Sequence, residues 1–270
     1  MPLTLPGRAL RPQLAALAAA LAFTLAVPAW AQDAPPAESF APEVGQEGKD
    51  VIWVPTPQSL VDKMLDLAKV TPKDRLMDLG SGDGRTVITA ARRGLTAQGI
   101  EYNPKMVELA RRNAANAGVA ERATFKQADL FETDLSQADV ITMFLLPTIN
   151  EELRPKILDL PAGTRVVSNT FPMGDWKPDV SEDVSDDCQT YCTALLWIVP
   201  AKVDGSWQLD GQRLDLSQQY QEITGTLGSA QISDGRLDGK RIRFTANGRQ
   251  YSGQVDGDNI RGEGWSAKRS

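Results

Sequence analysis

The sequence predicts an α/β fold over residues 51–204, a mostly parallel sheet with helices on both faces, followed by a small C-terminal antiparallel β-meander over residues 205–270. Three observations predict it. From Val51 to about Val203, short apolar runs alternate with amphipathic helical stretches, the pattern of a parallel sheet with crossover helices. A glycine-rich turn, "DLGSGDGR", joins one apolar run to a helix. Beyond Asp204 helical periodicity gives way to short segments punctuated by Asp238-Gly239, Asn247-Gly248 and Asp256-Gly257, dipeptides suited to tight turns.

Taken in order, "SLVDKMLDLAKV" sets Leu60, Val61, Met64, Leu65 and Leu67 on one helical stripe. "DRLMDLG" reads as a buried strand and "TVITAARRG" as the helix after it, closed by Gly94. "AQGIEYN" is a second strand. In "NPKMVELARRNAANAG", Asn103 is the N-cap, Pro104 stands in the first turn, Met106, Leu109 and Ala110 face inward, and Gly118 ends the helix. "ATFKQADLF", "ADVITMFLLP" and "TRVVSNTFP" are further strands, with the helix "NEELRPKILDL" before the last and Asn150 as its expected N-cap. "YCTALLWIVPAKVDGSWQLD" reads as a hairpin about Asp204-Gly205, and Trp176 and Trp197 as packing residues. In the meander, Ile242, Phe244, Tyr251 and Val255 share a face. The segment is too short to close a large barrel alone and is expected to pack on the first domain.

Composition narrows the chemistry. A chain of 270 residues with net charge −6 lacks the basic excess of a nucleic-acid surface. It contains no histidine, which removes histidine general bases, Ser-His triads and histidine-ligated metals. Its two cysteines exclude a four-thiolate zinc site, so no metal is expected. At the N-terminus, Arg8 and Arg11 precede the apolar run "LAALAAALAFTLAV", and Ala29 and Ala31 form a small-x-small site before Gln32. Residues 1–31 are therefore expected to be a signal peptide, with an uncleaved anchor the alternative, and residues 32–50 a disordered lead-in. An exported, periplasmic protein without a membrane span after cleavage is the expectation.

The glycine-rich turn carries the chemistry. Asp78 ends the first strand, where open α/β sheets bind ligands. Gly80, Gly82 and Gly84 let the backbone turn tightly, and the helix from about Arg85 presents free N–H groups. A carboxylate ahead of the glycines would repel a pyrophosphate; it suits a cationic ligand without phosphate. S-adenosylmethionine, with its sulfonium and ammonium, is such a ligand. Glu101, with Tyr102 beside it, ends the second strand and can accept both ribose hydroxyls. Asp129 ends the third and can take the adenine amino group, with Leu130 against the ring.

"DLGSGDGR", "GIEYNP" and "ADLF" resemble motifs I, post-I and II of class I S-adenosylmethionine-dependent methyltransferases. "VPTPQSLVDKMLDLAKV" and "MFLLPTINEELRPKI" resemble the bacterial relatives of the FAM173 protein-lysine methyltransferases, themselves similar to Dot1-type enzymes. The resemblance covers residues 51–176. It implies a Rossmann-like, seven-stranded sheet and places Asp78, Gly80, Ser81, Gly82 and Gly84 around the methionine part, Glu101 at the ribose and Asp129 at the adenine. It also implies that Pro55, Thr56 and Pro57 fold over the cofactor, and that the substrate is a protein lysine.

The acceptor side is less defined. Where many relatives carry an Asn/Asp-Pro-Pro-aromatic motif, this chain has "MFLLPTIN", so Phe144, Leu146 and Pro147 are the candidate acceptor slot, suited to a lysine stem. The same residues also fit strand and turn core. "GDWKPDVSEDVSDDC" reads as a solvated acidic loop. Cys188 and Cys192 are a candidate disulfide in an oxidising compartment, with free thiols the alternative. Methylation of a small molecule, and cofactor binding without catalysis, stay open, as does the oligomeric state.

Overall fold

The computed structural model describes residues 40–45 and 52–270. The signal-peptide expectation falls outside them, as does most of the lead-in. Of the lead-in, residues 40–45 are placed, the Gly45 N–H donating to the Trp53 carbonyl at 2.9 Å.

The N-terminal half runs α1 (Gln58–Leu67), β1 (Arg75–Leu79), α2 (Arg85–Arg92), β2 (Thr96–Glu101), α3 (Pro104–Asn116), β3 (Ala123–Gln127), β4 (Val140–Met143), α4 (Pro147–Leu158), β5 (Arg165–Asn169), β6 (Val180–Asp183) and β7 (Thr193–Ile198). The seven strands form one sheet in the order β3-β2-β1-β4-β5-β7-β6. Strands β1 to β5 are parallel; β7 joins β5 antiparallel, and β6 lies antiparallel on β7. The chain reverses direction across the sheet at β1, the switch point where such sheets open a ligand crevice. Packing follows the periodicity: Leu60, Val61, Met64 and Leu65 of α1 are buried, and β4 is buried along its whole length, as a central parallel strand must be.

Local signals set the boundaries. Asn103 caps α3 by accepting from the Lys105 N–H at 2.9 Å, with Pro104 in the first turn. Gly94 and Gly118, both left-handed, end α2 and α3. Asn150 is not an N-cap. Pro147 needs no N–H donor and is preset for the first helical turn, so α4 begins four residues earlier, after Leu146. Asn150 is instead fully buried, its Nδ2 donating to the carbonyls of Phe171 and Pro172 at 3.1 and 3.2 Å. The acidic stretch is not simply a solvated loop either. It forms the edge strand β6, and Asp175, Asp179 and Glu182 are paired with Arg154, Arg236 and Lys63.

The expected hairpin about Asp204-Gly205 does not form, because β7 and the next strand enter different sheets. β8 (Gly205–Leu209), β9 (Gln212–Gln219), β10 (Glu222–Leu227), β11 (Ala230–Gln231), β12 (Ser233–Asp238), β13 (Arg241–Ala246), β14 (Arg249–Asp256), β15 (Asn259–Gly262) and β16 (Trp265–Arg269) make a separate antiparallel sheet. Its order is β11-β10-β12-β13-β14-β15-β16-β8-β9, with β9 also paired to its hairpin neighbour β10 and the last strand, β16, paired to the first, β8, so the meander closes on itself as a small barrel. Neighbouring strands come close enough in the barrel to need glycine: a Cβ at Gly225 would lie 1.9 Å from the Asp215 carbonyl oxygen, and one at Gly235 2.1 Å from that of Ile223. Inside, Ile242, Phe244, Tyr251 and Val255 are buried as the alternation predicts, with Trp207 and Trp265.

The barrel meets the α/β unit at the β9–β10 turn. Gln221, 3% exposed, accepts from Trp176 Nε1 at 2.8 Å and donates to the Lys177 carbonyl at 2.9 Å. Tyr220 stacks on the Trp176 ring at 5.7 Å and donates to Asp175. Trp176 and Trp197 are both fully buried packing residues. Replacing Gln221 by Leu strands the buried indole N–H, and should cost on the order of 1–3 kcal/mol. Calorimetric unfolding is expected to show the midpoint falling by several degrees, roughly 2–4 °C per kcal/mol at this size.

Candidate active site

At the carboxyl edge of the seven-stranded sheet lies a cavity of about 600 Å³, within the range that encloses a drug-sized ligand. Asp78, Gly80, Ser81, Gly82, Glu101, Tyr102, Asp129 and Leu130 all line it, as do Thr56, Phe144 and Leu146. Three expected residues do not. Gly84 instead starts α2 at φ +84°, where a Cβ would press to 2.6 Å from the Phe125 ring. Pro57 precedes α1 as its N-cap residue, and Pro147 is taken up in the first turn of α4. Asp129 sits two residues beyond the end of β3, where its Oδ1 accepts from the Phe131 N–H at 2.9 Å.

The carboxylates are held in different ways. Glu101 accepts from the backbone N–H groups of Gly82 at 3.0 Å and Asn103 at 2.9 Å, which fixes it across the glycine turn. Asp83, not anticipated as a site residue, is gripped by the Arg85 guanidinium, with Nη2 at 2.6 Å from Oδ2. Asp78 is 6% exposed and accepts from the Thr142 hydroxyl at 2.6 Å. Burial pushes its carboxyl up to about 7; the Thr142 hydrogen bond offsets part of this, and the charges of Asp83 and Glu101 add to it.

A flap covers the glycine turn. Trp53, Val54, Pro55 and Thr56 line the cavity, and a Cβ at Gly82 would come 2.7 Å from Trp53 Nε1. Arg85 Nη1 donates to the Thr56 carbonyl at 2.8 Å, tying the flap to the same arginine that neutralises Asp83. On the other side of β1 the lining turns aromatic: Phe144 after β4, Phe171 after β5, and Tyr191 before β7. Tyr191 stands in the loop closed by the Cys188–Cys192 disulfide. Trp53, Phe171 and Tyr191 were not legible as site residues. The one local hint is the aromatic residue next to "VPTP".

An acid-first glycine turn at the switch point, with an acid ending β2 and another just beyond β3, is the pattern of a class I S-adenosylmethionine-dependent methyltransferase. The comparisons agree. The family model described as ANTKMT methyltransferase domain matches residues 78–180. A protein-lysine N-methyltransferase from Saccharolobus islandicus (strain REY15A) is 41% identical over 152 residues, covering 55% of this chain and 94% of the relative. The adenine nucleotide translocase lysine N-methyltransferase of Mus musculus is 39% identical over 120 residues, 44% of this chain; the match spans 52% of that relative. Among solved structures, an RNA methyltransferase from Salinibacter ruber in complex with S-adenosyl-L-homocysteine has 49% identity and a TM-score of 0.52, over 56% of this chain and 96% of that one. The chain belongs to the class I S-adenosylmethionine-dependent methyltransferases related to the FAM173 proteins.

The residues present fit that cofactor. Ser81 Oγ is buried without a hydrogen-bond partner, beside a carboxylate that shares its burial with a hydroxyl and faces two further acids. Such a site asks for a cationic ligand with donors and acceptors of its own. Since the folded-state value of Asp78 is raised above 3.8, it favours folding below that pH, and this contribution is lost as pH rises through about 7. A cation, conversely, prefers the ionised acid. Binding of S-adenosylhomocysteine should therefore tighten about fivefold to tenfold from about pH 6 to about pH 7.5, as titration near 7 requires. Calorimetric titration checks this, and the slope should vanish in Asp78→Asn.

Proposed function

We propose that this protein methylates the side-chain amine of a lysine on a protein substrate, by in-line displacement. The observation that carries the reading is the division of one cavity. Its acids sit at the tips of β1 and β2 and just beyond β3, and its apolar wall of Phe144, Leu146 and Phe171 follows β4 and β5. Bound S-adenosylmethionine supplies an electrophilic methyl carbon on a sulfonium. In this reading Asp78 and Ser81 hold the methionine part, Glu101 the ribose hydroxyls, and Asp129 and Leu130 the adenine. The Trp53–Thr56 flap excludes water, and the apolar wall aligns the lysine stem so that the amine, once it has given up its proton, faces the methyl carbon.

The relatives from Saccharolobus and mouse are named as lysine methyltransferases, which supports a protein acceptor. The Salinibacter structure is titled an RNA methyltransferase. A net charge of −6 and an acceptor wall without a side-chain amide favour the lysine over an RNA base. Incubating the protein with methyl-labelled cofactor and either envelope protein or total RNA tests the reading. Label is expected in protein, on lysine, and should fall at least about a hundredfold in Asp78→Ala, whose loss removes charge placed for binding and orientation. Label confined to RNA or to small molecules would end it.

We also propose that it acts in the periplasm. The Arg8/Arg11–apolar–Ala29-x-Ala31 pattern and the Cys188–Cys192 disulfide support this. Fractionation followed by N-terminal sequencing should find a periplasmic chain starting at Gln32. A cytosolic chain starting before it would overturn the assignment.

A further inference from the structure

The aromatic side of the cavity holds more than an apolar slot. Phe144, Phe171 and Tyr191 come from three separate segments, yet their rings form one cluster. Phe144 stacks on Phe171 at 5.8 Å, and Tyr191 is tilted against both, at 5.3 and 5.5 Å. Two members are set by the sheet. Phe144 follows β4 directly, and the Phe171 carbonyl accepts from Asn150 Nδ2 at 3.1 Å and Ser168 Oγ at 2.8 Å. Tyr191 lies on neither a strand nor a helix. It is 41% exposed and left-handed at φ +60°, a conformation costly for an aromatic residue unless its surroundings impose it.

The surroundings do impose it. The Cys188–Cys192 bond closes the chain around Tyr191, and Cys192 is tied to the sheet through its carbonyl, which accepts from the Val184 N–H at 2.9 Å. Thr193 follows at the start of β7, its carbonyl accepting from the Thr170 N–H at 2.7 Å. A covalent staple and a strand end thus bracket the most exposed ring of the three.

We infer that Tyr191 is the residue that selects the acceptor, forming with Phe144 and Phe171 an aromatic wall for an alkylammonium group, and that the Cys188–Cys192 disulfide is its positioning element. This rests on the lysine reading above and adds to it how the amine is recognised. Ring faces attract a cation, and their area covers the methylenes behind it. A methylated ammonium, more weakly hydrated than a primary one, leaves water for such a wall more readily. The exposed position of Tyr191 places it where an incoming side chain first meets the cavity.

The test uses the protein saturated with S-adenosylhomocysteine, so that binding is read without turnover. The probes are Nα-acetyl-lysine methylamide and its Nε-trimethyl form, followed by ligand-observed NMR. Wild type is expected to bind both, the trimethyl form more tightly. Tyr191→Ala should weaken the trimethyl probe by about five- to tenfold, whereas Tyr191→Phe, which keeps the ring face, should stay within about twofold. The double variant Cys188→Ser/Cys192→Ser, and wild type under reductant, should shift the same way as Tyr191→Ala. In each case the calorimetric affinity for S-adenosylhomocysteine should be unchanged, which a merely unfolded variant would not show. If wild type binds the probes and Tyr191→Ala binds them equally well, this assignment is wrong while the lysine reading stands. If wild type takes the homocysteine compound normally but neither amine, both fall.

Discussion

The site is organised around a carboxylate that is buried with no cation beside it among the described residues. Asp78 lies near the end of β1 at the switch point of the sheet, shielded from water, with the Thr142 hydroxyl donating to it and the charges of Asp83 and Glu101 raising its proton affinity. A buried acid in that setting is expensive to ionise, and the expense is relieved when a positive ligand arrives. The neighbouring acids are arranged so as not to compete for that ligand in the same way. Arg85 neutralises Asp83, and two backbone amides hold Glu101. Arg85 also carries the flap through Thr56, so the group that leaves Asp78 as the uncompensated acid also brings the cover into place.

What was legible in the sequence is what local chemistry determines. A glycine at positive φ, a proline in a first turn and an acid at a strand end each act over a few residues. They sufficed for the element order of the α/β unit apart from the edge strand β6, for Asp78 and Glu101 at the cavity, and for Asn103 at the start of α3. Asn150 shows the limit of that logic. Two start signals lay three residues apart, and the proline outcompeted the amide because it fits the first turn without leaving an N–H to satisfy. Other features depend on contacts between distant segments. Thr142 is identifiable as the partner of Asp78 only once β1 and β4 are known to lie in register, and the trio of Phe144, Phe171 and Tyr191 only once β4, β5 and β7 are neighbours. Barrel closure is of the same kind. Three turns of the meander, at Asp238-Gly239, Asn247-Gly248 and Asp256-Gly257, could be read locally, but the pairing of the last strand, β16, with the first, β8, is a property of the whole strand order.

The barrel is not a free appendage, and its attachment reaches toward the acceptor side. Its β9–β10 turn holds Trp176 through Gln221 and Tyr220. Trp176 in turn accepts through its carbonyl from Trp197 Nε1 at 2.8 Å, in the strand that begins beside Tyr191. The segment from Phe171 to Lys177 is thereby held from both sides, by Asn150 of α4 beneath Phe171 and Pro172 and by the barrel at Trp176 and Lys177.

In the proposed function this arrangement lets one sheet edge serve two unlike partners. A charged nucleoside needs fixed carboxylates and backbone atoms, and the β1–β3 half supplies them from strand ends and a glycine turn whose geometry is set over a few residues. An amine on a flexible stem needs apolar area and ring faces, which have no directional requirement but must be close-packed to keep water out. The β4–β7 half supplies these from segments that must be pinned from outside the sheet, by α4, by a disulfide and by a barrel. The cofactor half is therefore written in a short motif, while the acceptor half is written in packing. A chain can change the second, by adding a staple or a barrel, without disturbing the first.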